Sequence, residues 1–373
     1  MRSVIIFNAF HNIYLRLKLI SGLVLFHLIL LALTSCASKK IDAPELRFPS
    51  PPNEARFIFE RTLRTSTDVS GLGFMDKVRI SLTGSSHVVD GLVKPFGVAV
   101  HQGRVYVTDT VARSVKVFDL AKLKYFELGT KGQGTLVKPL GIDVSSKGEV
   151  FVSDNTARRV VVFDRDGNYL RAIGGQDTLR RPSGLSVSPD GTLVYVVETG
   201  GVETQEHHLL IFDAQNGELL RKVGKRGKQN GEFNLPLQAA TAPDGTVYVV
   251  DSGNFRVQAF TPSGNFKFSF GSIGRRSGQF SRPKGISTDP QGNIYVVDTA
   301  FGNFQIFSPD KQLLLFIGGR GQSGGPAEYM LPSGIDVDEN GRVYVVDQFF
   351  RKVDIYRPAH LKPTDGFAAY TKK

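Results

Sequence analysis

Six near-copies of one short stretch constrain what this chain can fold into. They are Tyr106-Val107-Thr108-Asp109, Phe151-Val152-Ser153-Asp154, Tyr195-Val196-Val197-Glu198, Tyr248-Val249-Val250-Asp251, Tyr295-Val296-Val297-Asp298 and Tyr344-Val345-Val346-Asp347. From acid to acid the steps are 45, 44, 53, 47 and 49 residues, the period of a repeated supersecondary unit. A chain of 373 residues could hold two ordinary domains. The copies run on to Tyr356 without a break in composition, so one repeat domain over residues 54–358 is expected.

The unit from Leu235 shows its parts. Leu237 to Thr241 is apolar, Ala242-Pro243-Asp244-Gly245 is a turn, and Val247 to Asp251 follows. After Ser252-Gly253-Asn254 come Val257 to Phe260, the turn Thr261 to Asn265, and Phe266 to Phe270. Short β-branched or aromatic runs between Gly, Pro, Asn and Asp turns read as four antiparallel strands, A to D. Pro189-Asp190-Gly191 and Glu339-Asn340-Gly341 join A to B in other copies, with glycine supplying the positive φ of a tight hairpin.

A four-stranded meander cannot bury both of its faces alone, so the units pack face to face around an axis. The expected fold is all-β, a six-bladed β-propeller of four-stranded antiparallel blades. In blade six, strand A is read at Ile335 to Val337, B at Val343 to Asp347 and C at Val353 to Tyr356, with no D strand after Arg357-Pro358. The strand-like run from Arg56 to Thr62 has no A, B or C before it. It fills the vacancy and closes the ring, which removes the free edge.

These residues resemble the NHL-repeat propellers. The resemblance rests on Pro283-Lys284-Gly285-Ile286, Asp298, Gln305-Ile306-Phe307 and Ile317-Gly318, and on Gly231-Glu232-Phe233 and Gly278-Gln279-Phe280. It covers residues 94–356 and implies the fold. Such propellers include binding modules, sensors and a few enzymes, so it does not fix an activity.

Ahead of the repeats, Leu19 to Leu33 is apolar except at Ser21, Gly22 and His27, and Arg2, Arg16 and Lys18 precede it without an acid. That is the pattern of a secretory signal over residues 1–35, too short an apolar run to span a membrane. Leu33-Thr34-Ser35-Cys36 resembles the lipobox of bacterial lipoproteins, and Cys36 is the chain's one cysteine. The resemblance implies lipid attachment at Cys36 and, with Ala37 next, residence on the periplasmic face of the outer membrane. Residues 36–53, with Pro44, Pro49, Pro51 and Pro52, read as a tether, and residues 359–373 as a polar tail.

The formal net charge of +11 falls to +8 without the three signal-peptide cations. A basic surface outside the cytoplasm suits a protein or an anionic envelope component and makes nucleic acid an unsuitable partner. If the B-to-C and D-to-A loops share one face, Lys94, Lys138, Arg181 and Arg282 precede the strand A prolines around the channel mouth, with Lys284 beside them. Arg226 and Arg275 lie in the D-to-A loops, and all seven are candidate ligand-binding residues on that top face.

Residues that recur in every blade read as structural. The strand B acid, with Arg113, Arg158, Arg256 or Arg351 after it, is expected to pin the B-to-C loop. Phe233 and Phe280 read as packing residues. The adjacent His207 and His208 would point to opposite sides of a strand and so do not share a metal. Residues 64–93 form a long insertion with Leu72, Met75, Val78 and Leu82 near helical spacing, read as a packed decoration.

No nucleophile elbow, His-Glu-x-x-His, phosphate loop or cysteine pair is present, and no cofactor is expected. The reading is therefore a binding or scaffold module without catalysis. The alternative is a periplasmic metal-dependent hydrolase or lyase at the channel mouth, with Asp143, Asp336 or Glu198 as ligands.

Overall fold

Each B strand is apolar on both faces because it stands between two blades. In blade six, Val343 and Val345 pack on Tyr295 and Val297 of blade five, while Tyr344 and Val346 pack on Val98, Val105 and Val107 of blade one. Period-two alternation thus serves two interfaces at once, which accounts for the Tyr-Val-Val stretch. Fully burying each such side chain contributes roughly 1.5–3 kcal/mol.

The computed structural model describes residues 45–71, 82 and 90–368. Five sheets run A-B-C-D in chain order: strands 95–101, 104–109, 114–119 and 124–128 make blade one, and blades two to five repeat it. Their A strands are Pro139–Val144, Pro182–Val187, Pro236–Thr241 and Pro283–Thr288. Blade six has A at Pro332–Val337, B at Val343–Asp347 and C at Lys352–Pro358, and Phe57–Leu63 supplies its D strand. The A strands touch in a closed ring, blade six against blade one. The ring closure read from the sequence is therefore present.

Two buried charge pairs fix the borrowed strand. Arg342 Nε donates to Glu60 Oε2 at 2.9 Å, with the arginine side chain fully buried. Asp354 accepts from Thr62 Oγ1 at 2.7 Å and from Lys352 Nζ at 2.6 Å.

Three boundaries differ from the sequence reading. Each A strand starts at its proline, the first residue of a strand being a place where the missing N–H is harmless. Arg47–Phe48 pairs with the borrowed strand as a fifth strand, so the end of the expected tether lies on the propeller. The tail also packs: Arg342 donates to the Lys362 and Pro363 carbonyls, and Ala368 is buried. Within the insertion, Thr67–Ser70 is a short helix whose Val69 joins the blade one core. The signal peptide, Cys36 and most of residues 72–89 lie outside the described residues.

Candidate functional site

The strand B acids hold the B-to-C loops as expected, and they do more. Each accepts backbone N–H groups from the loop entering strand A. Asp109 takes those of Val93 and Lys94, Asp154 those of Val137 and Lys138, Glu198 those of Arg180 and Arg181, and Asp298 those of Ser281 and Arg282, at 2.7–3.1 Å for the shortest contacts. Asp109 also holds Val111 and Ala112 of the B-to-C loop. One carboxylate thus ties both loops of a blade together.

The expected arginine partner is a correction. Only Arg256, of the four, pairs with its acid, Nε to Asp251 Oδ2 at 2.8 Å, among the described residues. Arg113, Arg158 and Arg351 take φ of +56°, +55° and +52° before strand C, and their peptide geometry rather than their charge fits the loop. At blade four Asp251 holds Asn234, and the Leu235 N–H goes instead to His207 Nδ1 at 2.9 Å.

That clamp presents the residue before each A-strand proline at the top of the ring. Lys94, Lys138, Arg181 and Arg282 are exposed there, and none has an ion pair among the described residues. Lys284 is one step inside the ring, its ammonium 4.7 Å from the centre of the Phe96 ring. Burial, with Arg282 and Lys94 nearby, pushes this amine down to about 8. Arg226 and Arg275 are not at the mouth. Arg226 bridges to Phe233 within its loop, and Arg275 shares an outer hollow with Phe316 of a D strand. Residues just after a D strand are still on the outer wall.

Beneath the mouth the A strands come into close contact at their third residue. A Cβ at Gly141 would lie 2.5 Å from the Ser183 carbonyl oxygen, and one at Gly334 2.7 Å from that of Phe96. Blade four carries Gln238 there, and its side chain stands against Gly184. Gln238 borders both the small space under Lys284, about 20 Å³, and a larger cavity below. The channel is narrow at this level, between the small space at the mouth and the larger cavity.

The bottom cavity has a volume of about 550 Å³ and is open at the A-to-B turns, within the usual range of small-molecule sites. Asp143 and Asp336 face it from blades two and six, the two neighbours of blade one. Asp143 Oδ2 accepts from the Val187 N–H at 2.8 Å and Ser186 Oγ at 3.1 Å. Asp336 Oδ2 accepts from the Val100 N–H at 2.7 Å, and its Oδ1 from Ser287 Oγ at 2.8 Å. Asp143 therefore links its A strand to that of blade three, and Asp336 links its own to those of blades one and five.

Both residues are partly buried and line the open cavity. Burial pushes Asp143 up to about 6. Burial, and then the charge of Asp143, pushes Asp336 up to about 8. The pair titrates in two steps, so at neutral pH it holds about one proton. At the cavity rim His101 Nδ1 meets Glu339 Oε1 at 2.9 Å.

Glu198 sits at the top with the loop clamp, apart from the two aspartates. His207 Nε2 donates to the Gly201 carbonyl at 2.9 Å, and His208 contacts the Gly224 carbonyl and Glu206. Both histidines are structural. Among the described residues no three His, Cys, Asp or Glu side chains come close enough to hold a metal ion, so the expected alternative ligand set is not assembled.

Comparison with known proteins agrees with this fold. Residues 233–260 match the NHL repeat. A 48-residue stretch is 44% identical to the human (Homo sapiens) E3 ubiquitin-protein ligase TRIM32, covering 13% of this chain and 7% of that protein. Similar solved structures include a gluconolactonase from Xanthomonas campestris, at TM-score 0.57 and 16% identity over 85% of this chain and 98% of that one. An inactive variant of virginiamycin B lyase from Staphylococcus aureus, solved with quinupristin, aligns at TM-score 0.51 and 16% identity over 71% and 94%. Kuenenia stuttgartiensis hydrazine synthase aligns at TM-score 0.52 and 16% identity over 74% and 98%. At such identities the likeness is one of fold.

Proposed function

We propose that this chain is a membrane-anchored lipoprotein whose propeller binds a protein or an anionic envelope component through its top face, without catalysis. The observation that carries the reading is the set of four cations, Lys94, Lys138, Arg181 and Arg282, held at equivalent points of the ring with no side-chain ion pair among the described residues. Cations around a concave mouth add their fields and steer an anionic partner. Val93, Val137, Leu331 and Phe349 are exposed on the same loops, and apolar groups among charges suit a protein partner. Acyl chains on Cys36 would hold the domain at the outer membrane's periplasmic face. Cys36→Ser should remove the lipid mass from the N-terminal peptide and release the protein from membranes. Reversing the four cations to Glu should abolish recovery of partners crosslinked in intact cells, and unchanged recovery would contradict the reading.

A second reading is a hydrolase or lyase working in the bottom cavity. It is favoured by the Asp143 and Asp336 pair, in which one carboxyl stays protonated as an acid beside an ionised base. Turnover of a lactone panel that Asp143→Asn and Asp336→Asn both abolish would support it over the binding module.

A further inference from the structure

Lys284 stands where the other blades carry Phe96, Leu140, Ser183, Leu237 and Ser333, so a single cation enters the inner ring of the mouth. Its ammonium rests on the Phe96 ring and makes no hydrogen bond or ion pair among the described residues. The charged groups it feels are Arg282, Lys94 and Asp347. Asp347 offers little, because its oxygens already accept the N–H groups of Met330, Leu331 and Phe350 at 2.8–2.9 Å. A largely enclosed amine without an acceptor is costly to keep. Three cations share this part of the mouth with the single carboxylate of Asp347, whose oxygens are already taken, which leaves an acceptor position for the amine unfilled.

We propose that Lys284, Lys94 and Arg282 form a seat for one oxyanion, a phosphate or carboxylate carried by the partner of the top face. The proposal rests on the reading of that face as the binding surface and names the group it takes. Arg282 can approach an oxyanion with two parallel N–H bonds, while Lys284 and Lys94 supply point charges. The space beneath, about 20 Å³, holds about one water molecule. The oxyanion therefore stops at the mouth and does not enter the channel. An anion placed there favours the charged amine, so near pH 8 its binding takes up a fraction of a proton at Lys284.

The test is calorimetric titration of the full chain in detergent with inorganic phosphate at pH 8, in two buffers of different ionisation enthalpy. The native chain should bind with net proton uptake. Lys284→Met should weaken binding by roughly 10–100-fold, the worth of one charge-assisted hydrogen bond. Lys284→Arg should keep most of the affinity and lose the proton uptake, since its guanidinium is always charged. Equal affinity in Lys284→Met, or unchanged proton uptake in Lys284→Arg, would overturn the seat.

Two vesicle preparations separate the sources. Capture by phosphatidylglycerol but not phosphatidylcholine vesicles, competed by phosphate and lost in Lys284→Met, places the oxyanion on a lipid headgroup. Phosphate binding without vesicle capture places it on a soluble partner. Partners retained by the four-residue charge reversal, while Lys284-dependent phosphate binding persists in the native chain, would sink the wider face and leave the seat standing.

Discussion

Replacing Asp336 by Asn should flatten the fall of stability with pH that the channel carboxylates impose. Asp336 is raised to about 8 by burial and by Asp143, against roughly 3.9 for an unfolded aspartate. Between those values the native state holds a proton that the unfolded chain has released. Stability therefore falls as pH rises, by up to about 1.4 kcal/mol per pH unit for one group. From pH 6.5 to 8 the ideal loss is about 2 kcal/mol, and water in the cavity reduces it to roughly 1–2 kcal/mol.

Above pH 8 a second group opposes this slope. Lys284, lowered to about 8, favours the unfolded chain less as pH climbs toward roughly 10.4, so the window must stop at 8. Urea unfolding of native chain and Asp336→Asn at pH 6.5, 7.25 and 8 isolates the difference. The variant should gain about 1–2 kcal/mol on the native chain across that window. Its amide can still accept from Val100 and donate to Ser287. A difference that does not change with pH would refute the argument, because it would mean that Asp336 is ionised throughout.

Glu60→Ala should cost about 3–5 kcal/mol, because Arg342 would stay buried without its partner; thermal unfolding that moves by only a degree or two would show that the closure does not depend on this pair. Gly285→Ala should destabilise by at least ~1–3 kcal/mol, since its Cβ would run into the Ser333 carbonyl oxygen. Gly319→Ala, where nothing lies within 4 Å and φ is not positive, should stay within about 0.5 kcal/mol in the same assay. Comparable losses at both glycines would contradict the close approach of the A strands. His207→Ala should cost about 1–3 kcal/mol by stranding the Leu235 N–H, and protection of that amide from hydrogen exchange should fall.

Much of the architecture was legible because the blade writes itself into the sequence six times. The Tyr-Val-Val-Asp stretch shows both faces of a strand that two blades share, and the unpaired run near Arg56 shows the closure. The partners of the strand B acids in the loops entering strand A were not legible, because a carboxylate that accepts backbone N–H groups leaves no signature in the residues that donate. The nearby arginines suggested ion pairs that the left-handed backbone at Arg113, Arg158 and Arg351 does not make.

The site was readable in the same uneven way. Lys94, Lys138, Arg181 and Arg282 follow from the repeat register, since the proline after each marks the start of an inner strand. Arg226 and Arg275 lie in the same loops, but radial position depends on the path of the chain. Asp143 and Asp336 could be placed within A strands; that they share one cavity depends on blades two and six both flanking blade one. Gln238 was visible only as a break in a glycine position whose purpose is close contact between strands.

The most direct measurement is photo-crosslinking in intact cells from one position on each end of the channel. A photoreactive residue at Val137, among the top-face cations, is compared with one at Lys147 in an exposed bottom turn. The account predicts a discrete adduct from Val137 that disappears when Lys94, Lys138, Arg181 and Arg282 are reversed, and none from Lys147. An adduct from Lys147 alone, unaffected by those reversals, would contradict it and move the working surface to the cavity of Asp143 and Asp336.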